Sequence, residues 1–550
     1  MHSFTVTFPD KTTRVFTEPV TGADLIPYFN TEPGPIVAIY VNNQLFSLTR
    51  SIDVQAEVLP VTTAVTEGSY VYRRTLCFVL AAAARELYPD LRLLIGHSLG
   101  YGYYYTLESS GNNISIDLAD LERKMRAIIA ADMMIETRYV SYGEAMDLFE
   151  NSNQPDTYRL LCQTSKPKIL INTLDGYSDL YFEPLLDKTG KLEVFELRAY
   201  GEGFLLRFPP TSHPDRLTDF EDIPQLFSVY AQSKKWGNLI GTSSVGQLNE
   251  RVGTRKAKDY IEITETYQNK KIAEIADKIA EHSDVKVALI AGPSSSGKTT
   301  TSKKLSMQLR VLGYEPAIIS IDDFYLGKDK TPLDEDGQPD YECLEALDVP
   351  LLNEILISLF NGEEVIMPSF DFKTGSRKFS DKKFRMDDRT ILILEGIHAI
   401  NDKLTPLVPR EKKYKIYLSA LTTLNLDDHN RIPTSDNRLI RRIVRDAQFR
   451  GKGAAGTISM WPSVQRGERL HIFPFQDKAD IMFNSALDYE LSVLKVYAEP
   501  LLRAVKPTQQ EYSEATRLLT LLNHFMPIPS SYVPGQSIIR EFIGESEFKY

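Results

Sequence analysis

The sequence of 550 residues predicts a multidomain chain of mixed class. Its second half reads as an α/β unit with a parallel sheet flanked by helices, and its first half as α+β. Three observations predict this. The stretch VKVALIAGPSSSGKTT at 285–300 joins an apolar, β-branched run to a Gly/Ser loop and then to a helical run. Strand-like and helix-like segments alternate from 284 to about 500, the pattern of a parallel sheet with helices on both faces. The first 67 residues instead carry short alternating runs broken by Pro, Asn, Asp and Gly, the mark of a small β-rich module.

Length suggests about three to four domains. Hydrophobic residues at 42% and charged residues at 25% describe soluble globular material, and a net charge of -11 argues against a broad non-specific nucleic-acid surface. Cys77, Cys162 and Cys343 lie far apart and form no C-x-x-C pair, so neither a disulfide framework nor a zinc knuckle is expected. With no signal-peptide pattern and no membrane-length apolar run, the expected home is cytoplasmic and no membrane partner is expected.

In chain order, residues 1–67 read as strands, with Phe4, Val6 and Phe8 alternating and 36–41 ending at an Asn42-Asn43 turn. The run FPDKTTRVF, then VTGADLI, then AIYVNNQLFSLTRSI resembles the TGS domain, a ubiquitin-like fold. Residues 68–235 follow with a helix ending at Tyr88-Pro89, a strand and hairpin at LLIGHSLGYGYYYTLE, and two helices around a strand at 118–149. Their order is similar to that of the second additional domain of threonyl-tRNA synthetases, an editing domain with four metal-type ligands. The matching positions here are Arg74, Phe78, Tyr181 and Leu185. None is a zinc ligand, so the editing chemistry does not carry over. The front half is expected to be a binding or regulatory module or a scaffold, not a catalytic unit, with contact to RNA or a small ligand left open. Residues 236–283 read as a linker with a solvated helix, apolar at Ile261, Tyr267, Ile272, Ile275 and Ile279.

The stretch Gly292, Pro293, Ser294, Ser295, Ser296, Gly297, Lys298, Thr299 satisfies G-x-x-x-x-G-K-[ST] in the strand–loop–helix setting that this motif needs. Its backbone N–H groups, with Thr300 at the helix start, form a nest for phosphate oxygens. Lys298 is placed for the β/γ-phosphates and Thr299 for Mg²⁺. Asp322 and Asp323 follow the next strand, and Glu395 ends TILILE. Ligands of open α/β sheets bind at that carboxyl edge.

GPSSSGKTT, SIDDFY, PSFDF with SR behind it, EGIHAI, NRLIRRIVRD and ADIMFN occur in the order found in uridine kinase and its P-loop relatives, which this part of the chain resembles. The resemblance implies that Asp322 takes the proton of a nucleoside 5′-hydroxyl and that Glu395 lies near Mg²⁺. It places Arg438, Arg441 and Arg445 on a lid helix over the phosphates, with Arg441 catalytic, Arg438 toward the substrate and Arg445 toward ATP. Glu342 falls where the ribose hydroxyls are held, and Tyr325, Phe370, Phe372 and Arg377 line the acceptor side. Gly375 stands where the family has a base-reading His, which removes a hydrogen bond that would favour pyrimidines. His398, His429 and His471 read as isolated and structural.

The expected activity is ATP- and Mg²⁺-dependent phosphorylation of a small molecule, a nucleoside first, as in pyrimidine salvage. Another alcohol, as in phosphoribulokinase or pantothenate kinase, is the alternative, and an RNA- or ligand-sensing switch is a third. The lack of an N-K-x-D guanine motif counts against a GTPase switch. A homo-oligomer is left open. Residues 501–550 read as a C-terminal appendage packing back on the kinase unit of 284–500.

Overall fold

The computed structural model of the chain describes residues 3–549 except 30–33, 328, 336 and 372–373. Phe372 therefore lies outside the described residues.

The first module is a five-stranded sheet in which Phe4–Thr7 pairs antiparallel with Thr13–Phe16 and parallel with Ala56–Thr62. Phe4, Val6 and Phe8 all point inward, as their period of two requires, and pack on Leu25, Ile39 and Val58. Asn42 and Asn43 have φ of 49° and 59°, the two left-handed residues of a tight hairpin between Ile36–Val41 and Gln44–Phe46.

Helix Thr66–Leu87 then runs through the core of the second unit, with Ala81–Ala84 buried. It is longer than the sequence pattern suggested, starting ten residues before Leu76. Beside it lies an antiparallel sheet of Arg92–Ser98, Gly102–Ser109, Gly203–Arg207 and Glu196–Tyr200. A second sheet, Glu136–Ser141, Lys168–Leu174 and Tyr177–Asp179, completes the unit.

The region 236–283 is not a solvated linker. Helix Ala257–Ala280 buries Tyr260, Ile261, Ile272, Ile275, Ala276 and Ile279 in the same core as helix Lys298–Val311. Its charged face is real, but its apolar stripe covers the kinase sheet. That sheet has five parallel strands in the spatial order Glu315–Ser320, Thr390–Glu395, Val287–Ala291, Lys413–Ser419, Ile481–Asn484. Register places Ile290 opposite Glu395 and Glu395 opposite Ser320. The Gly292 loop, Asp322 and Glu395 therefore leave the sheet at one carboxyl edge.

The C-terminal residues wrap back onto the kinase core, burying Leu518, Phe525, Ile528, Ile538, Ile539 and Phe542. The front half is held by a buried turn, 427–430. Asp428 accepts from Arg92 Nε at 2.6 Å and from the backbone N–H groups of Asp156 and Thr157 at 2.9 Å each. His429 is not isolated: its Nδ1 lies 2.7 Å from Asp179 Oδ2 across the same junction. Burial pushes its pKa down, but the Asp179 carboxylate outweighs that and the net direction is up.

Asp428→Ala would leave the Asp156 and Thr157 N–H groups and the Thr157 hydroxyl unpaired inside the junction, and would leave Arg92 with Asp156 as its one remaining carboxylate there. Removing one partner of a buried ion pair costs about 3 kcal/mol or more. The urea midpoint at pH 7 should fall accordingly, whereas an exposed pair such as Lys11–Glu57 should move it by less than about 1 kcal/mol when broken.

Candidate active site

The loop between strand Val287–Ala291 and helix Lys298–Val311 is shaped by two glycines. Gly297 has φ of 84°, a left-handed conformation that costs glycine little, and Gly292 sits so close to Leu418 that a Cβ would come within 2.5 Å of its carbonyl oxygen. Ser295 also has positive φ, 59°, so the loop N–H groups are turned into a concave nest.

Two of the nest's backbone donors hold carboxylates, while Ser296 N–H closes the turn on Pro293 O at 3.2 Å. Ser294 N–H donates to Glu468 Oε1 at 3.1 Å. Thr300 N–H and Oγ1 donate to Glu541 Oε2 at 3.3 and 2.7 Å. Donors that hold carboxylate oxygens suit phosphate oxygens equally, so the loop fits a nucleoside triphosphate. Lys298 Nζ donates to the carbonyls of Gly292 and Pro293, at 3.0 and 3.2 Å, and burial pushes its pKa down.

Across the edge, Glu395 Oε1 accepts from Thr299 Oγ1 at 3.4 Å and from Ser320 Oγ at 3.3 Å. A hydroxyl and a carboxylate are hard oxygen donors, the kind Mg²⁺ takes alongside waters and phosphates. Among the described residues no group of three or more His, Cys, Asp or Glu side chains is placed to hold a metal ion. A metal here would thus draw most of its ligands from nucleotide and water. Burial, then the neighbouring Asp322 charge, raise the Glu395 pKa to about 7. Asp322 is raised by burial against the pull of Lys298, Arg450 and Arg445. Glu342 is raised to about 7 by burial and by Glu468, with Arg442, Lys298 and Asp322 also acting on it. Asp322, Lys298, Glu395 and Glu342 thus share one electrostatic site.

Other residues take different parts. Asp323 Oδ1 accepts from Phe370 N–H at 2.9 Å, fastening hairpin Val365–Asp371 to the site. The rings of Tyr325 and Phe370 lie 5.6 Å apart, and Tyr325 is also 5.6 Å from Tyr341. Tyr325 OH donates to Tyr341 O at 2.9 Å. Arg377 is paired with Asp348 at 2.9 Å, an acid that also caps the next helix, so its charge is spent on the scaffold. Gly375 has φ of 64° at the hairpin turn, where a His would be strained. The turn geometry itself therefore disfavours the family residue.

The arginine helix departs most from the expected lid. Thr434–Phe449 is buried on nearly every side. Arg441, expected over the phosphates, is fully buried; its Nη2 meets Glu490 Oε2 at 2.5 Å and its Nη1 donates to Ser295 O at 3.1 Å. Arg438 grips Glu468 and donates to Ser294 O at 3.1 Å, and Arg442 donates to Ser294 Oγ at 2.7 Å. These three brace the loop from behind. Arg445 alone points its charge toward the nest, 4.0 Å from Glu541, with its pKa lowered to about 10, first by burial. The spacing i, i+3, i+7 sets Arg438, Arg441 and Arg445 on one helix face, and here that face is packed against the loop and the C-terminal elements. His398 and His471 are neighbours, with rings 6.3 Å apart, and not isolated. Glu468, Glu490 and Glu541 were missed by sequence reasoning; no local motif surrounds any of them.

A family model described as "Phosphoribulokinase / Uridine kinase family" matches residues 287–492. A uridine kinase from Macrococcus caseolyticus is 32% identical over 195 residues, 35% of this chain and 84% of that protein. The front part is similar to threonine–tRNA ligases: that of Coxiella burnetii is 28% identical over 195 residues, 35% of this chain and 30% of the ligase. That of Lactobacillus helveticus is 31% identical over 206 residues, 37% of this chain and 32% of the ligase. The chain thus spans about a third of the length of the ligases it matches. No helix among the described residues is long and apolar enough to cross a membrane.

Glu395 gives a prediction with a definite sign. Its pKa is raised to about 7 from the ordinary glutamate value of 4.5, so the folded state binds its proton more tightly than the unfolded one. Its contribution to stability falls as pH rises from about 4.5 to about 7 and then stays low. Glu395→Gln should therefore raise stability at pH 8 by about 3 kcal/mol and leave it unchanged near pH 4. Denaturant titrations at both pH values check the sign.

Proposed function

The chain belongs to the phosphoribulokinase/uridine kinase family through residues 287–492, and from that premise we propose that it phosphorylates the 5′-hydroxyl of a nucleoside with ATP. The observation that carries this reading is a half-buried carboxylate, Asp322, at the sheet edge that also holds Lys298 and Glu395. Phosphoryl transfer is mostly positioning and charge neutralisation, with a carboxylate to take the acceptor's proton.

In this mechanism the nest at 292–300 holds the β/γ-phosphates, and Lys298 leaves the Gly292 and Pro293 carbonyls to neutralise them. Thr299 and Glu395 would hold Mg²⁺, which neutralises phosphate charge when bound. Asp322 accepts the hydroxyl proton as the oxygen attacks phosphorus and the bond to ADP breaks. Glu342 holds ribose hydroxyls, while Phe370 and Tyr325 offer a flat wall to the base. With Gly375 in a side-chain-free turn, the base is read by shape and stacking, so purine and pyrimidine nucleosides are both accepted. In the front half, Phe78, Tyr181 and Leu185 are packed together, with Phe78 and Tyr181 rings 5.4 Å apart, and Arg74 donates to Pro184 O at 2.6 Å. That arrangement supports a binding module without metal-dependent hydrolysis.

A panel of uridine, cytidine, inosine, guanosine and a sugar phosphate with ATP and Mg²⁺, read by ADP release, tests the acceptor. Turnover of the sugar phosphate alone would reassign it. Asp322→Asn should lower kcat by a factor on the order of 10² to 10⁴ with little change in ATP affinity. Equal losses in both would move Asp322 from base to metal ligand or scaffold.

A further inference from the structure

A cavity of about 550 Å³ lies between the front half and the kinase, and the proposed reaction does not use it. Its walls carry six arginines against three carboxylates. The carboxylates are largely spent. Asp436 is paired with Arg517 at 2.6 and 2.9 Å, Glu468 grips Arg438, and Glu183 faces Arg74 and Arg517. Arg73, Arg431 and Arg469 have no carboxylate partner among the described residues. Arg73 makes only a long bond to Pro209 O, at 3.5 Å, and its Nε is buried without a partner.

Two of these free cations flank one aromatic pair. The Tyr103 and Phe208 rings meet edge to face at 4.7 Å, with the Arg73 guanidinium 4.6 Å over Phe208 and the Arg431 guanidinium 5.1 Å over Tyr103. Arg73 comes from the front half and Arg431 from the kinase, so the patch exists only when the two are docked. The buried lining adds four further unpartnered polar atoms, His97 Nδ1, Tyr181 OH, Arg438 Nε and His524 Nε2. Burial drives both histidines down to about 3, so neither adds positive charge.

Half-buried guanidinium groups without counter-charge are costly unless an anion meets them, and their fork geometry suits phosphate. The half-buried Tyr103 ring beside them suits a flat ring, and the volume is that of a small-molecule pocket. We propose that this interdomain cavity binds a mononucleotide, its phosphate between Arg73 and Arg431 and its base against Tyr103, which the buried Phe208 backs. The site reports to the kinase loop, because Arg438 and Glu468 line the cavity and also hold Ser294 O and Ser294 N–H.

The test uses the full chain with UMP and AMP as calorimetric probes. One binding event should survive Lys298→Ala with Asp322→Asn and weaken at least tenfold when Arg73→Gln and Arg431→Gln are added. Both arginines are only partly buried, and an unchanged melting temperature confirms folding. Inorganic phosphate alone should bind at least tenfold more weakly than UMP. Binding untouched by the arginine changes, or phosphate binding as tight as UMP, would overturn the proposal.

A separate observation concerns the C-terminal segment. Glu541 occupies two donors of Thr300, Ile538 lies against Gly297 so closely that a Cβ there would be 2.6 Å from its Cγ2, and Phe542 sits 5.1 Å from the Arg441 guanidinium. We infer that this segment is a latch whose carboxylate competes with nucleotide phosphate, an inference resting on the kinase reading above. Glu541→Gln keeps the shape and removes the charge, so ADP should bind at least threefold more tightly. Unchanged or weaker binding sinks the latch. Loss of ADP binding in Lys298→Ala tests the kinase reading independently.

Discussion

Convergent backbone N–H groups need an anion, and that need organises the kinase half. The nest at 292–300 cannot bury its donors unpaired, because each would forfeit a hydrogen bond with nothing in return. The fold supplies Glu468 from helix Ala454–His471 and Glu541 from the C-terminal segment. Each brings a buried charge that must itself be balanced. Arg438 balances Glu468, and Arg445 approaches Glu541. Arg441 is balanced in turn by Glu490. The arginine helix, the C-terminal segment and the loop are therefore parts of one buried ionic arrangement centred on a phosphate-shaped hole.

The same logic works at the junction between halves. The turn at 427–430 carries Asp427 and Asp428, both fully buried, and they stay there because Arg92, Asn430 and the backbone of Asp156 and Thr157 satisfy them. Such an arrangement specifies one docking geometry more than it adds stability, since an apolar surface of the same shape would be as favourable. The turn and the arginine helix that follows it link the front half to the loop through a short chain of packed side chains. Arg431 and Arg438 sit seven residues apart on that connection, one in the cavity patch and the other behind Ser294.

Local chemistry was legible where it is carried by consecutive residues. The strand, the glycine loop, Lys298 and Thr299 are a contiguous pattern, and the acids Asp322 and Glu395 follow strands whose apolar runs are unmistakable. The hairpin at Asn42-Asn43 was legible for the same reason, since two left-handed residues must be small or amide-bearing. Helix Ala257–Ala280 was misread because its charged face is conspicuous and its apolar stripe is the same whether it covers a sheet or a partner. Asp323 and Arg377, both plausible site groups by position, are instead spent on a hairpin and a helix cap.

Residue order alone determined that a nucleotide-type loop exists, that two acids reach its edge, and that the front half lacks the metal ligands of the synthetases it resembles. These follow from short-range rules of spacing and backbone freedom. Only the tertiary structure decided which arginines face the nest, that Glu541 lies 241 residues from the Thr300 it caps, and that Arg73 and Arg431 share one aromatic patch. Those pairings are long-range, and nothing local encodes them. They arise because buried charges must find partners wherever the packed chain brings them.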